Sequence, residues 1–354
     1  YIRGLEGVNT RASVDSHWRR QFVDPLGQIF TPFASLRGDV FGVTAGSDSP
    51  LIPEVFRDDD RTILRGMATA GLEYRYPFIN VHDWGTQVIE PIAQVVVRPD
   101  EAKIGEIPNE DAQSLVFDDT NLFEWNKFSG YDRVEGGVRA NVGLSYTATL
   151  INNVKANVLF GQSFHLAGLN SFSTPDLVHT GLESGLDKDR SDYVGRLFLQ
   201  ASQYFNFAAR FRLDDETLDP QRMEISAQGI YEGATASVTY ARLGEQPDIG
   251  SFKEREMIAT VLGYKLTSNW TVQGSSYYDI HDAYLLSAGA QLAYLDECFS
   301  LTLDYSSQFY ETANQEPTHT VMLRFSLKTL GGTGYSQSFG TGATSPLQTP
   351  SFLQ

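Results

Sequence analysis

The strongest constraint on this chain is a period-2 alternation of apolar with polar or small residues, sustained over stretches of roughly 9 to 16 residues. Successive side chains of a strand point to opposite faces, so each stretch becomes a ribbon with one apolar and one wet side. Between 138 and 150 one parity reads Val138, Ala140, Val142, Leu144, Tyr146, Ala148 and Leu150, and the other Arg139, Asn141, Gly143, Ser145, Thr147 and Thr149. After Asn152 and Asn153 the pattern resumes with Val154, Ala156, Val158, Phe160, Phe164 and Leu166 against Lys155, Asn157, Gly161, Ser163 and His165. Two long strands joined by an Asn-Asn turn make a hairpin.

The alternation recurs to the end of the chain, for example as Phe205, Phe207, Ala209, Phe211 and Leu213 against Asn206, Arg210 and Arg212. Near the end, Val321, Leu323, Phe325 and Leu327 oppose Thr320, Arg324, Ser326 and Lys328. About 15 such strands are expected. A soluble sandwich uses strands of ~5 to 6 residues, whereas tilted membrane-spanning strands need ~9 to 11. Short links at 152–153, 204, 232–233, 267–268 and 296–297 alternate with long ones at 44–61, 99–130, 167–190, 244–252 and 311–317. That is the wiring of a barrel with tight periplasmic turns and long external loops; a soluble solenoid or sandwich explains the alternation but not the loop lengths.

Composition supports the same class. The 17 Tyr, 22 Phe and 31 Gly beside only 4 Met lean towards strands and turns. With 27 Lys plus Arg against 44 Asp plus Glu, a formal net charge of -17 excludes nucleic acid as a partner and a polybasic membrane-surface patch. No apolar run reaches the ~18 residues of a transmembrane helix, which leaves a β-barrel open. The expected fold is therefore all-β, a transmembrane antiparallel β-barrel wall over residues 1–330, followed by a periplasmic tail over 331–354. The link at 24–27 is short and hence periplasmic, so Tyr1 is external. The chain is then expected to begin within a larger barrel, with an odd number of strands upstream, and not to close by itself. Val142 should meet lipid and Asn141 the watery lumen.

Few residues suggest chemistry. Ser163 and His165 share a strand face, but a nucleophile needs a base oriented by a third group, and a lumenal polar pair is the expectation. The six histidines, His17, His82, His165, His179, His281 and His319, lack ligand spacing. Acidic pairs and triplets at 58–60, 118–119 and 214–215 read as solvated loop charge, without the spacing of a calcium loop. No catalytic residue, cofactor site or metal site is expected. Pro91 interrupts the strand around 86–98, removes a ladder donor and is expected to mark a bulge in the wall.

The segment 109–133 carries a resemblance. It reads Asn109, Glu110, Asp111, Ala112, Gln113, Ser114, then Phe117, Asp118, Asp119, Thr120, Asn121, Leu122, Phe123, and Phe128, Ser129, Gly130, Tyr131, Asp132, Arg133. This resembles the signature region of the LptD family of lipopolysaccharide-assembly proteins, also called organic solvent tolerance proteins. The turn Tyr294, Leu295, Asp296, Glu297, Cys298, Phe299 is similar to the family's cysteine-bearing turn, with one cysteine where some members have a pair. Residues 327–331 resemble its closing strand.

The resemblance implies an outer-membrane translocon that receives lipopolysaccharide from a periplasmic LptA-like bridge through an N-terminal jellyroll, with an LptE-like plug lipoprotein in the lumen. It implies a Gram-negative outer-membrane location and a barrel of about 26 strands. Acyl chains would enter the bilayer from the jellyroll, while the headgroup crosses the polar lumen and leaves through a seam between first and last strands, with the strand 318–329, carrying Val321, Leu323, Phe325 and Leu327, as one lip. Cys298 would pair with a cysteine of the periplasmic region. A porin or ligand-gated uptake channel fits the lumen polarity and acidic loops equally well. The loop 99–130, with Phe117, Leu122, Phe123 and Phe128, is too long to be a mere connector and is expected to fold against the lumen or the plug.

Overall fold

The computed structural model describes residues 7–45, 61–176, 179–309, 317–327 and 331–339. They form eighteen strands and one short 3-10 turn. No helix among them is long and apolar enough to cross a membrane, which says nothing against crossing by strands. The first ten strands are β1 (Gly7–Arg19), β2 (Phe22–Val23), β3 (Ile29–Ala45), β4 (Arg61–Arg75), β5 (Phe78–His82), β6 (Gly85–Val97), β7 (Val138–Leu150), β8 (Lys155–Ala167), β9 (Tyr193–Ser202) and β10 (Phe205–Leu213). The remainder are β11 (Pro220–Tyr231), β12 (Ala234–Leu243), β13 (Arg255–Lys265), β14 (Trp270–Asp279), β15 (Tyr284–Leu295), β16 (Phe299–Gln308), β17 (Thr318–Leu327) and β18 (Gly331–Phe339). Residues cluster into two compact units, the first built mainly from 1–197 and the second mainly from 222–245 and 253–354.

In the first unit each strand pairs antiparallel with its neighbours in sequence, from β1 and β2 on β3 through to β7 on β8. Two ladders are interrupted without slipping. β1 and β2 hold one common register on β3, and the gap falls at Arg20, opposite Pro32. Likewise β4 and β5 hold one register on β6, with the gap opposite Pro91. In both places the proline carbonyl still accepts a backbone N–H, from Arg20 at 3.2 Å and from Tyr76 at 3.2 Å, but the proline returns none. The bulge expected at Pro91 is thus a one-bond gap: β6 keeps an unbroken register on β7 from Gly85 to Val97.

Counting β1 with β2 and β4 with β5 as single passes, the described residues make fifteen passes up to Leu327, and β18 adds a sixteenth. Two expectations change as a result. β18 lies within residues assigned to a tail, and residues 340–354 fall outside those described. β18 also pairs with β17 along most of its length, from His319 to Leu327, while β16 holds the other side. Val321, Leu323, Phe325 and Leu327 therefore sit on an interior strand, not at a free lip.

Facing follows the alternation. On β4, Leu64 and Leu72 are exposed while Arg65 and Glu73 are buried; on β7, Val142 and Leu144 are exposed while Arg139 and Asn141 are buried. Inside and outside are inverted relative to a soluble core: the apolar parity faces outward, as lipid contact requires, and the polar parity inward. In the second unit, Leu262, Leu292, Leu303 and Leu323 are exposed on one parity. The other parity carries Thr235, Gly263, Gln273, Gln291 and Asp304 as successive cross-strand partners, a polar row that ends in a carboxylate.

Candidate functional site

The polar face of the first unit is covered. Residues 98–137, after β6, and the described residues of 168–192, after β8, fold back onto it instead of standing away from the strands. Their apolar residues form a core of their own: Ala112, Phe117, Leu122, Phe128, Phe172 and Leu186 with Val194, flanked by Leu115 and Phe123. A second cluster joins Ile107 to Phe41, Val43 and Ile63 on β3 and β4. Burial of these side chains from water favours the seated loops.

The wall is shaped to receive them. Gly143 of β7 and Gly161 of β8 are direct cross-strand partners. A Cβ at Gly161 would lie 2.4 Å from Leu122 Cδ2, and one at Gly143 would lie 2.9 Å from Phe123 Cζ. The paired glycines therefore make a notch that only a side chain of zero size leaves open. Gly161→Val is expected to unseat Leu122, expose the loop and press on the Val142 carbonyl, 2.5 Å from the new Cβ, at a cost of roughly 1 to 3 kcal/mol or more for overpacking. Faster protease cleavage within 110–130, in protein that still assembles, checks this.

Charges fasten the loops at three points. At the first, Glu135 forms ion pairs with Arg139 Nε at 2.8 Å, Arg98 Nη2 at 3.1 Å and Lys127 Nζ at 3.9 Å, all essentially dry. Burial alone would raise the Glu135 carboxyl, but Arg98, Lys127 and Arg139 overcome it and hold the group down at about 2. Burial lowers Lys127 to about 8 in spite of Glu135. Arg139 also donates to Asn170 Oδ1 at 3.1 Å, so one wall residue grips both loops.

At the second, Arg65 of β4 pairs with Asp39 at 2.8 Å and Glu101 at 3.3 Å and donates to the Asp132 carbonyl at 2.7 Å. Arg11 bridges Asp111 at 2.7 Å and Asp132 at 2.5 Å, and Arg11 and Arg37 lie over the Tyr131 ring. Gly130 is needed here because a Cβ would fall 2.2 Å from Asp111 Oδ1. At the third, Asp176 joins the two loops, accepting from Arg133 at 2.5 Å and Asn109 at 2.9 Å, while Phe128 stacks on Phe172 at 4.8 Å.

The residues singled out from sequence come together in this seat. Phe117, Leu122 and Phe128 are buried in its core, and Asp132 and Arg133 are buried in its ion pairs. Gln113 donates to the Asn109 carbonyl, and Asp118 Oδ1 accepts from the N–H and hydroxyl of Thr120 in a local turn. Ser163 donates to Asn141 Oδ1 at 2.6 Å and His165 Nε2 lies 2.9 Å from the Gly168 carbonyl, so each has a partner other than its neighbour. Asn141 is not in open water: it is fully buried and donates to Gln94 at 2.7 Å.

The reading of 118–119 and 214–215 as solvated loop charge is corrected for Asp119, which is buried between Arg196 and Arg210. Asp214 and Asp215 stand near Asp192, with carboxylate oxygens within 4.8 Å of one another, and Lys188 and Arg190 neutralise them. Burial pushes Asp192 up to about 6. The acidic triplet at 58–60 lies outside the described residues. Sequence reasoning missed Asp39, Arg65, Glu101, Lys127, Glu135, Arg139 and Asp176; charged residues on the inward parity of wall strands were the available signal for three of them.

Strands with an apolar outer parity, alternating short and long connections, and two long loops folded onto the polar face define the wall of a membrane β-barrel carrying its own lumenal insert. The family model for LPS transport system D, LptD, matches residues 3–270. The chain belongs to that family. It is 25% identical over 303 residues to the LPS-assembly protein LptD of Vibrio cholerae, covering 80% of this chain and 38% of that protein. The LPS-assembly protein LptD of Hahella chejuensis is 23% identical over 281 residues, covering 77% and 33%. The chain thus spans about a third of the length of these relatives. A mutant porin of Rhodopseudomonas blastica aligns at a TM-score of 0.34 and 11% identity, covering 93% and 95% of the two chains.

Proposed function

We propose that this chain forms part of the wall of the outer-membrane translocon that assembles lipopolysaccharide into the outer leaflet of a Gram-negative bacterium. The observation that carries this reading is the family match over residues 3–270, which takes in the whole loop seat. Lipopolysaccharide is the substrate, and the work is passage across a boundary, with no covalent step. The sugar headgroup travels along a polar interior while acyl chains stay with membrane lipid, because moving either into the other's medium is costly. The uncovered row from Thr235 to Asp304 supplies a hydroxyl, two amides and a carboxylate beside a glycine, which suits contact with an LptE-like plug lipoprotein. An LptA-like periplasmic bridge delivers substrate through the part of the protein that precedes the barrel.

The test is complementation. In cells depleted of the native protein, a full-length Gly161→Val variant that assembles should deliver less lipopolysaccharide to the cell surface. Normal surface lipopolysaccharide together with altered small-solute uptake would favour a channel instead.

Cys298 is exposed in the short turn between β15 and β16, where its N–H donates to Asp296 Oδ1 at 2.7 Å. Its exposure, together with an oxidising periplasm, supports a bridge from this thiol to the periplasmic region of the same polypeptide. Non-reducing electrophoresis of the full-length protein should show a mobility change on reduction that Cys298→Ser abolishes. Identical migration of parent and mutant, with and without reductant, would dismiss the bridge.

A further inference from the structure

The hairpin of β5 and β6 departs from the wall pattern in three ways. Its neighbour on one side ends early: β3 pairs with β4 only as far as Ile29 opposite Arg75, and β5 pairs with β6 alone among the described residues. All five residues of β5 are exposed, on both faces. Most telling, the alternation inverts. Through β4 the outward parity is apolar or small, ending in Tyr74 and then Tyr76 and Phe78, whose rings lie 4.3 Å apart as an interfacial aromatic pair. The next two outward residues are Asn80 and His82, while Ile79 and Val81, 66% and 73% exposed, take the inward parity. A strand whose lipid parity turns polar has left the hydrocarbon, so the hairpin tip stands in water on the short-turn side.

The hydrogen-bonding parity adds a direction. Tyr76 N–H donates across to the Pro91 carbonyl, which marks even residues of this strand as the ones bonded to β6. The N–H and C=O groups of Ile79 and Val81 therefore point the other way, into the space beyond the β2–β3 turn, where no strand among the described residues receives them. Pro77 shares that parity and presents a carbonyl without an N–H. The tip is held firm: His82 and Trp84 stack at 5.0 Å, and Ile151 N–H donates to the Trp84 carbonyl at 3.1 Å.

We propose that the outer edge of β5 is a docking site for an extended polypeptide strand, contributed in cis by the portion of the protein outside this chain. Alternating donors and acceptors at strand spacing match another extended backbone, and neither a lipid tail nor a sugar reproduces them. Ile79 and Val81 add adjacent apolar contacts that a cross-strand neighbour would cover. The curated relatives carry well over half of their length outside the matched region, and a tethered segment meets the edge at an effective concentration of order millimolar.

The test places a photoreactive phenylalanine analogue at Val81 of the full-length protein in its own outer membrane. Cross-linking to a peptide of the same polypeptide, beyond the residues of this chain, is the expected result. Ile79→Pro should abolish it with heat-modifiable mobility unchanged, because proline is tolerated on an edge whose N–H faces away from the ladder. Pro77→Ala supplies another outward donor and should raise the yield. Labelling of lipid or of a different protein, or no cross-link, would overturn the proposal. So would a yield that Ile79→Pro leaves unchanged; should that variant fail to assemble, an unchanged yield in Pro77→Ala is decisive.

Discussion

Glu135→Gln is expected to free residues 98–137 from the wall and to lower the amount of assembled protein sharply. The substitution keeps the shape but takes from Arg98, Lys127 and Arg139, all dry, the one carboxylate they share. Removing one partner of a buried pair costs about 3 to 5 kcal/mol, and here a single carboxylate serves three. Lys127→Met should be far milder, because a buried ammonium already depressed to about 8 is lost and the two guanidinium contacts survive. The pH dependence has a definite sign. The Glu135 carboxyl is lowered in the folded protein, so its contribution is fully present above its ordinary value of 4.5 and is lost as pH falls through about 2. Heat-modifiable electrophoresis and protease protection of the loop, followed from neutral pH into acid, measure both effects. Equal behaviour of the two variants would refute the central place given to Glu135.

Val142→Arg should cost about 2 to 4 kcal/mol if the position lies near the bilayer midplane, since the guanidinium would enter hydrocarbon. Gln273→Arg, on the inward row of the second unit, should cost little in protein prepared without a plug, because Gln273 is then exposed to water. Denaturant titration of the full-length protein in lipid vesicles separates the two, and equal losses would mean that the alternation has been misread. The sequence alone suggests Asn141 as the harmless control. The structure corrects that choice: Asn141 is fully buried against Gln94 and Ser163, so an arginine there overpacks the loop seat.

Strands were legible because a wall with lipid on one side and water on the other must alternate, and the number of passes up to Leu327 follows from that rule alone. Interruptions were not, because proline's effect depends on what lies opposite: Pro32 and Pro91 each remove one bond while the register continues. β18 was missed because 331–339 is rich in glycine and serine and lacks the apolar parity of its neighbours. In the loop, Phe117, Leu122 and Phe128 were recognisable as a functional core because apolar residues in so long a connection need something to bury them. Their ionic anchors were not, since Asp39, Arg65 and Arg139 look locally like any lumenal charge, and only the folded loop shows what they hold.

The loop seat also bears on how such a wall can be made. Its hairpins form from neighbours in sequence, but Arg11 reaches Asp132 across 121 positions, Asn109 reaches Thr180 across 71, and Arg65 reaches Asp132 across 67. Contacts of that separation are reached late, because the chain between them must be confined before they give anything back. The last stage is also the one in which Glu135 and its three cations shed their water, so a wall with an unseated insert is a natural stalled intermediate. Slow maturation, with open and loop-sealed forms coexisting in freshly made protein, is the kinetic signature of an insert that is locked in by charge.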